Sequence, residues 1–427
     1  MTTFLNFSNL GEAHAAPRFW IEGRRLASLG FAPGTPIAIE RTAAGLTIAA
    51  CALSDRLVCS KRANGADRPL IDVNSHALLS HLADYGEIKI RGSFGRLDVM
   101  PSARGFAILK SKTHAGPFRV LDVFAGGGTL SDALTGNVAF EVVAGLEIDP
   151  EFADEFGAKH PHAEQITGDF RRMMPAELPE FDVLVAGIPC TSHSNQGRAK
   201  KGLAGRPELG DTGDLYVHVL ALVAARMPAA CVFENVPLFG SSLAGATMAT
   251  NLRRLGYHVT EHVIEPREQW GEPTTRTRWV LVATLRPGFE VVAPGVEFSG
   301  TIADYLDTPD AVLDRADAER IAVTIAGLRT HNARHAAAGH GFAMQILTGA
   351  ETSAPVICKS YHKINSSGFF IATPWGPRML RKGEIERLHG QRITCDHYAS
   401  AVAMMGQGVQ TRVFSKIFRQ LGEFLTR

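Results

Sequence analysis

The sequence predicts an α/β protein: a doubly wound, Rossmann-like domain with a smaller region set into its second half and a β-rich domain in front. Three observations carry that prediction. From Arg119 onward, short apolar runs alternate with helix-like stretches, the texture of β-α-β units. Those runs end in glycine, an acid or a cysteine rather than at random, and open α/β sheets bind ligands at the carboxyl ends of their strands. Before Arg119 the apolar runs are shorter and broken by Gly and Pro, as in a small β-rich fold.

Composition bounds the class. A chain of 427 residues has room for two or three domains, and 45% hydrophobic with 20% charged residues is ordinary for a globular protein. No apolar run approaches the roughly 18 residues of a membrane span, and the start, Met1-Thr-Thr-Phe-Leu-Asn, lacks the pattern of a signal peptide. Six scattered cysteines form no CxxC pair, which argues against a zinc ribbon or disulfide framework and fits a reducing cytoplasm. The net charge of +1 conceals an asymmetry. Residues 1–113 hold 14 basic and 9 acidic residues, residues 327–427 hold 13 and 5, and the middle holds 17 and 29. Basic flanks around an acidic centre favour a polyanionic partner, or are unequally charged solvated surfaces.

In residues 1–113, Pro17–Leu26, Ile37–Arg41 and Leu46–Ala49 read as strands, with one helical turn between the first two. Lys61-Arg62, Arg68–Asp72 and Ile88–Gly92 read as further strands with basic tips, and Ser111–Phe118 as a linker. The order of these pieces around Leu29-Gly-Phe-Ala-Pro-Gly loosely resembles AbrB-like and SymE-type DNA-binding domains over about 17–50. DNA or partner contact and a purely structural role are both open for this domain.

The strand Val120–Phe124 leads into the glycine turn Ala125-Gly-Gly-Gly-Thr-Leu-Ser131. The next strand, Phe140–Leu146, ends at Glu147-Ile-Asp149. Glycines let backbone approach a ligand, and an acid at the end of the following strand takes ribose hydroxyls. A third acidic strand end, Asp169, suits an adenine amino group or caps a helix. The apolar run Phe181–Ala186 then stops at Gly187-Ile-Pro-Cys190, placing a thiol in a loop at a strand end; read alone, it could equally be a buried free cysteine. Asn195–Gly213 reads as a mobile loop, Leu215–Met227 as a helix, and Ala230–Phe233 as a strand with Cys231 in the core, ending in Glu234-Asn-Val-Pro237. Arg276 and Arg278 precede the strand Val280–Thr284, and their alternation puts both guanidiniums on one face of it.

Taken in order, these motifs resemble the DNA (cytosine-5)-methyltransferase family. Asp122-x-Phe124-x-Gly126-x-Gly128 is similar to its cofactor turn, Glu147 and Asp169 to its ribose- and adenine-binding acids, and Pro189-Cys190 to its nucleophile motif. Glu234-Asn-Val236, Arg276-x-Arg278, Arg378–Gly390 and Met405-Gly-Gln-Gly-Val409 follow in the family's order. Ile188, Thr191, His193, Thr274, Gln407 and Thr129 depart from its usual residues, which marks a divergent member. The resemblance implies a methyltransferase domain over 114–287, a target-recognition region over 288–375 and a closing segment over 376–427. It implies S-adenosyl-L-methionine as cofactor, touched by Phe124, Gly126, Gly128, Glu147, Ile148, Asp169 and Val409, and double-stranded DNA as substrate. Cys190, Glu234, Arg276 and Arg278 are the expected catalytic group, acting on a cytosine flipped out of the stack.

Between the halves, His331–His335, Lys359–Lys363 and Asn365-Ser-Ser offer basic and hydrogen-bonding groups for DNA, while Asp304–Asp317 reads as an acidic, helix-bearing connector. His193 lacks companions at ligand spacing, so no metal is expected. RNA cytosine methylation and a silent DNA-binding regulator are the rival readings, and a partner restriction nuclease is compatible with the expected activity.

Overall fold

The computed structural model describes residues 3–63, 66–189, 211–337, 344–366 and 368–427. Cys190, Thr191, His193 and all of the Asn195–Gly213 loop up to Gly210 lie outside the described residues. The chain divides into two compact units, Met1–His114 and Ala115–Arg427.

Among its described residues the first unit holds nine strands: β1 (Phe4–Ser8), β2 (Gly11–Ala13), β3 (Ala16–Glu22), β4 (Ile37–Thr42), β5 (Gly45–Ala50), β6 (Cys59–Ala63), β7 (Ala66–Asn74), β8 (Ile88–Ser93) and β9 (Arg96–Pro101). They form an antiparallel sheet in the order β1-β8-β9-β5-β4 and a second in the order β2-β3-β7-β6. Alternating residues such as Ile88, Ile90, Leu97, Val99, Leu46 and Ile48 turn inward to a core shared with Phe19, Phe31 and Leu79, as period-two patterning requires. Besides the expected helical turn, α1 (Arg24–Ser28), there are two helices that the sequence reading did not contain, α2 (His76–Ala83) and α3 (Ala103–Lys112). Helix α3 starts where Ser102 Oγ accepts a hydrogen bond from Gly105 N at 2.9 Å, an N-cap. It runs to Lys112, so the first two residues of the expected linker are helical.

The second unit is built on a seven-stranded sheet. Its strands are β10 (Phe118–Val123), β11 (Phe140–Glu147), β12 (Glu164–Thr167), β13 (Val183–Gly187), β14 (Ala230–Asn235), β15 (His258–Ile264) and β16 (Arg278–Thr284), in the order β12-β11-β10-β13-β14-β16-β15. The pairs from β12 to β14 are parallel, and β16 runs antiparallel to both neighbours. The apolar runs read as strands are those buried on both faces: Val183–Ala186 and Ala230–Phe233 are fully inaccessible, as expected for central parallel strands. The order reverses at β10, which pairs with β11 on one side and β13 on the other, so the turns after β10 and β13 open on a topological switch point.

Helices cover the sheet. After the short α4 (Thr129–Asp132), α5 (Pro150–Lys159) begins with Pro150 at its first position and Asp149 as cap, whose Oδ1 accepts from Glu151 N at 3.1 Å. Then come α6 (Leu215–Arg226) and α7 (Leu243–Arg254). The 27-residue α8 (Ala311–Ala337) follows, then the short parallel pair β17 (Gln345–Leu347) and β18 (Phe369–Ile371). The chain ends with α9 (Lys382–His389), α10 (Tyr398–Gln407) and α11 (Thr411–Leu425). Helix α11 buries Val413, Phe414, Ile417, Phe418, Leu421 and Leu425 against β10 and β11, with Phe418 stacked edge-on to Phe140 at 6.2 Å. That stripe at i, i+4, i+8 fixes the C-terminal segment to the sheet. Among the described residues, no helix is long and apolar enough to cross a membrane.

The acidic stretch before and inside the start of α8 is more than a connector. Asp314 is buried against Arg378 and Arg381, Asp317 pairs with Arg381, and Asp307 pairs with Arg387. These carboxylates are the counter-ions of the arginine motif at 378–387.

Candidate active site

Most candidate residues lie at the carboxyl ends of β10 to β14, on either side of the switch point. After β10, Phe124 takes φ +61 and the turn continues with Gly126 at φ +56 and Gly128 at φ +76. Left-handed backbone favours glycine; Phe124 sustains it while its ring stacks edge-on to Phe170 at 5.4 Å. Among the described residues, nothing stands within 4 Å of where a Cβ on Gly126 would lie.

Glu147, at the end of β11, accepts Gly126 N through Oε2 at 2.9 Å, and Ile148 N and Asp149 N through Oε1 at 2.8 and 2.9 Å. The acid thus holds the turn, and Oε2 keeps acceptor capacity for a hydroxyl. Ile148 beside it is 60% exposed, an apolar surface next to a polar strand end. Asp169 caps the 3-10 turn Phe170–Arg172 and forms a two-pronged pair with Arg171 at 2.8–3.2 Å; that hydrogen bonding holds its carboxyl below the ordinary range. The capping reading of this residue is the one observed, with the carboxylate at the third strand end. Open backbone at Gly126, the acids Glu147 and Asp169, and the apolar Ile148 and Phe124 make a donor set that fits an adenosine-bearing cofactor.

Val409 reaches the turn by its backbone: its N–H donates to Thr129 Oγ1 at 3.2 Å while its side chain is buried in the core. Gly408 allows this approach, because a Cβ there would lie 2.7 Å from Thr129. Thr129, a departure from the family pattern, is therefore an acceptor for the last motif. A similar substitution links Thr274 and Gln410: Gln410 Nε2 donates to Thr274 Oγ1 at 2.8 Å, so an amide stands beside position 274, carried by the other segment.

Glu234 is the penultimate residue of β14, opposite Gly187, and its carboxylate Oε2 would lie 3.5 Å from a Cβ on Gly187. Ile188 N donates to Glu234 O at 3.2 Å, and Asn235 Nδ2 donates to Ile188 O at 3.0 Å. Glu234 and Asn235 thus clasp the strand end that runs through Pro189 to Cys190. Glu234 is buried and pairs through Oε1 with Arg278 Nε at 2.7 Å. Burial pushes its pKa up, and Arg278 and Arg276 pull against that push without cancelling it.

The two arginines do not share a strand face. Strand β16 begins at Arg278; Arg276 lies before it, with its guanidinium buried on three carbonyls, Ile357 O at 3.1 Å, Gly406 O at 2.8 Å and Gly408 O at 2.9 Å. Strand pairing stops at Arg278, so alternation does not reach Arg276. Arg276 staples the Ile357 segment and the Gly406–Gly408 motif together, whereas Arg278 faces Glu234. His389 is buried nearby, and burial together with the positive charge of Arg276 pushes its pKa down to about 3, so it packs neutral. Among the described residues, no group of three His, Cys, Asp or Glu could hold a metal ion.

The model of the C-5 cytosine-specific DNA methylase family matches residues 118–423. The chain belongs to this family. It is a DNA (cytosine-5) methyltransferase that uses S-adenosylmethionine as methyl donor. The Type II methyltransferase M.NlaX of Neisseria lactamica is 29% identical over 282 residues, 64% of this chain and 85% of that protein. Among solved structures, the methyltransferase EhMeth of Entamoeba histolytica superposes with a TM-score of 0.59 at 17% identity, covering 73% of this chain and 99% of that one. The Dnmt2 methyltransferase of S. pombe gives 0.57 at 18% identity, covering 73% and 100%. At those identities the likeness establishes the methyltransferase fold.

Proposed function

We propose that this methyltransferase acts through transient attack of Cys190 Sγ on carbon 6 of an extruded cytosine. Carbon 5 is too weak a nucleophile unaided; addition at carbon 6 makes it enamine-like. Bound S-adenosylmethionine supplies the electrophilic methyl group. The protonated carboxyl of Glu234 gives its hydrogen to ring nitrogen 3 as the sulfur–carbon bond forms. Arg278, paired with Glu234, orients that carboxyl and offers its remaining donors to the ring carbonyl. After transfer, water takes the proton from carbon 5 as the sulfur–carbon bond breaks, ring nitrogen 3 returns its proton to Glu234, and Cys190 leaves as thiolate. Arg276, engaged with three carbonyls, positions rather than contacts the base. Phe124, Gly126, Gly128, Glu147, Ile148 and Asp169 form the cofactor side of the cleft, with Val409 supporting the turn from behind.

The observation that supports this reading most is the bonding of Glu234 O and Asn235 Nδ2 to Ile188, two residues before Cys190 in the sequence. Tritiated-methyl transfer to mixed-sequence duplex DNA tests it. Wild type labels the DNA and Cys190→Ala does not; label transferred by Cys190→Ala at the wild-type rate contradicts the role of the sulfur.

The first unit is a second DNA contact in this reading. On the outer face of its five-stranded sheet, Lys89 and Arg91 stand opposite the exposed Phe7 and Leu5, in a segment of net positive charge that phosphates favour. The Type II name of the Neisseria protein supports pairing with a restriction nuclease of the same specificity, in a prokaryotic cytoplasm.

A further inference from the structure

Helix α5 grips the glycine turn at both ends. The acid just before the helix, Glu147, takes Gly126 N; the last residue of the helix, Lys159, donates from Nζ to Gly127 O at 2.5 Å. The same Nζ pairs with Asp132 Oδ2 at 2.5 Å, and His160 Nε2 lies 3.2 Å from Asp132 Oδ1. The peptide that carries Gly127 O has its N–H on Ala125 O at 2.9 Å, so this peptide plane is held from both sides. Gly128 leaves no slack, since a Cβ there would sit 3.1 Å from the His160 and Phe156 rings. The Lys159 side chain is only 8% exposed. A lysine this buried is uncommon, and a helix-end lysine satisfies its charge as well in water.

We propose that Lys159 is a positioning residue for the cofactor: it captures the Gly127 carbonyl and so fixes the orientation of the turn that receives S-adenosylmethionine, with Asp132 as its counter-ion. The proposal rests on the assignment of this turn to the cofactor. Loss of the ammonium removes one of the two bonds that hold this peptide plane, in a turn whose glycines tolerate other backbone angles. The effect falls on cofactor binding and leaves the DNA surface alone.

The test is calorimetric titration of the full chain with S-adenosylhomocysteine, which binds without turnover, beside gel-shift titration with a duplex oligonucleotide. Lys159→Met weakens cofactor binding about tenfold or more, as expected for losing a charge-assisted hydrogen bond that orders a ligand turn, while duplex affinity stays within about twofold. Lys159→Arg, which keeps charge and donor, restores binding to within about threefold of wild type. Lys159→Met with wild-type cofactor affinity, or with cofactor and duplex affinity lost in parallel, overturns the proposal. Where Lys159→Met does not fold, Asp132→Asn takes its place: reduced cofactor affinity at unchanged duplex affinity supports the proposal, and unchanged cofactor affinity overturns it. A wild-type chain that binds no S-adenosyl compound defeats the assignment of the turn itself, a result distinct from both.

Discussion

Glu234→Gln lowers the single-turnover rate of methyl transfer by about 10²- to 10⁴-fold, the range for removing a positioned general acid, with cofactor affinity unchanged. The substitution is nearly isosteric, and the amide keeps a donor for ring nitrogen 3 but has no proton to give. The pH profile separates the two contributions. Burial raises the Glu234 pKa, so the acid form persists above the usual carboxylate range. The wild-type rate then carries a limb that falls as pH rises through that raised value, where the proton is lost. Gln has no such limb. Rapid-quench transfer measured across pH checks both statements, and a Gln variant that retains the wild-type rate and falling limb removes Glu234 from the chemistry.

The largest effect on stability belongs to Arg378. Its side chain is 4% exposed, with Nε on Asp314 Oδ1 at 3.0 Å and Nη1 and Nη2 on the two Glu384 oxygens at 2.8 and 2.7 Å. Glu384 also accepts Asp307 N and Arg381 N. This network joins the start of α8 to the start of α9, and hence the segment between β16 and β17 to the C-terminal helices. Arg378→Met leaves Glu384 buried without its cation and destabilises the fold by about 3–5 kcal/mol, because the carboxylate loses its partner but keeps its desolvation penalty. Arg378→Met with Glu384→Gln recovers part of the loss, as coupled neighbours do. Urea denaturation of wild type, single and double variants measures both terms; a single variant within about 0.5 kcal/mol of wild type contradicts the account of the network.

These two residues also mark where sequence reading works. The strands were legible because burial on both faces writes an unbroken apolar run, and Val183–Ala186 and Ala230–Phe233 are such runs. The glycine turn, Glu147 and Glu234 were legible because each ends a strand, a local signal. Arg276 was not, since its acceptors lie 81, 130 and 132 residues away and only tertiary structure shows that β16 stops short of it. Asp314 read as connector surface because its partner, Arg378, is 64 residues distant. Lys159 carries no local signal, because its acceptor on Gly127 lies 32 residues earlier. Partners set by topology leave no mark in composition or period.

The central claim is a covalent bond between Cys190 and carbon 6 of the target base, and a duplex bearing 5-fluorocytosine at the methylated position tests it most directly. After methyl transfer, carbon 5 carries fluorine in place of the hydrogen that must leave as a proton, so elimination is blocked and the adduct persists. Incubated with S-adenosylmethionine, the wild-type chain forms a complex that survives denaturing electrophoresis, and peptide mass spectrometry places the DNA on Cys190. Methylation of the ordinary duplex with no trapped complex on the fluorinated one, or a complex mapped to another residue, contradicts the mechanism.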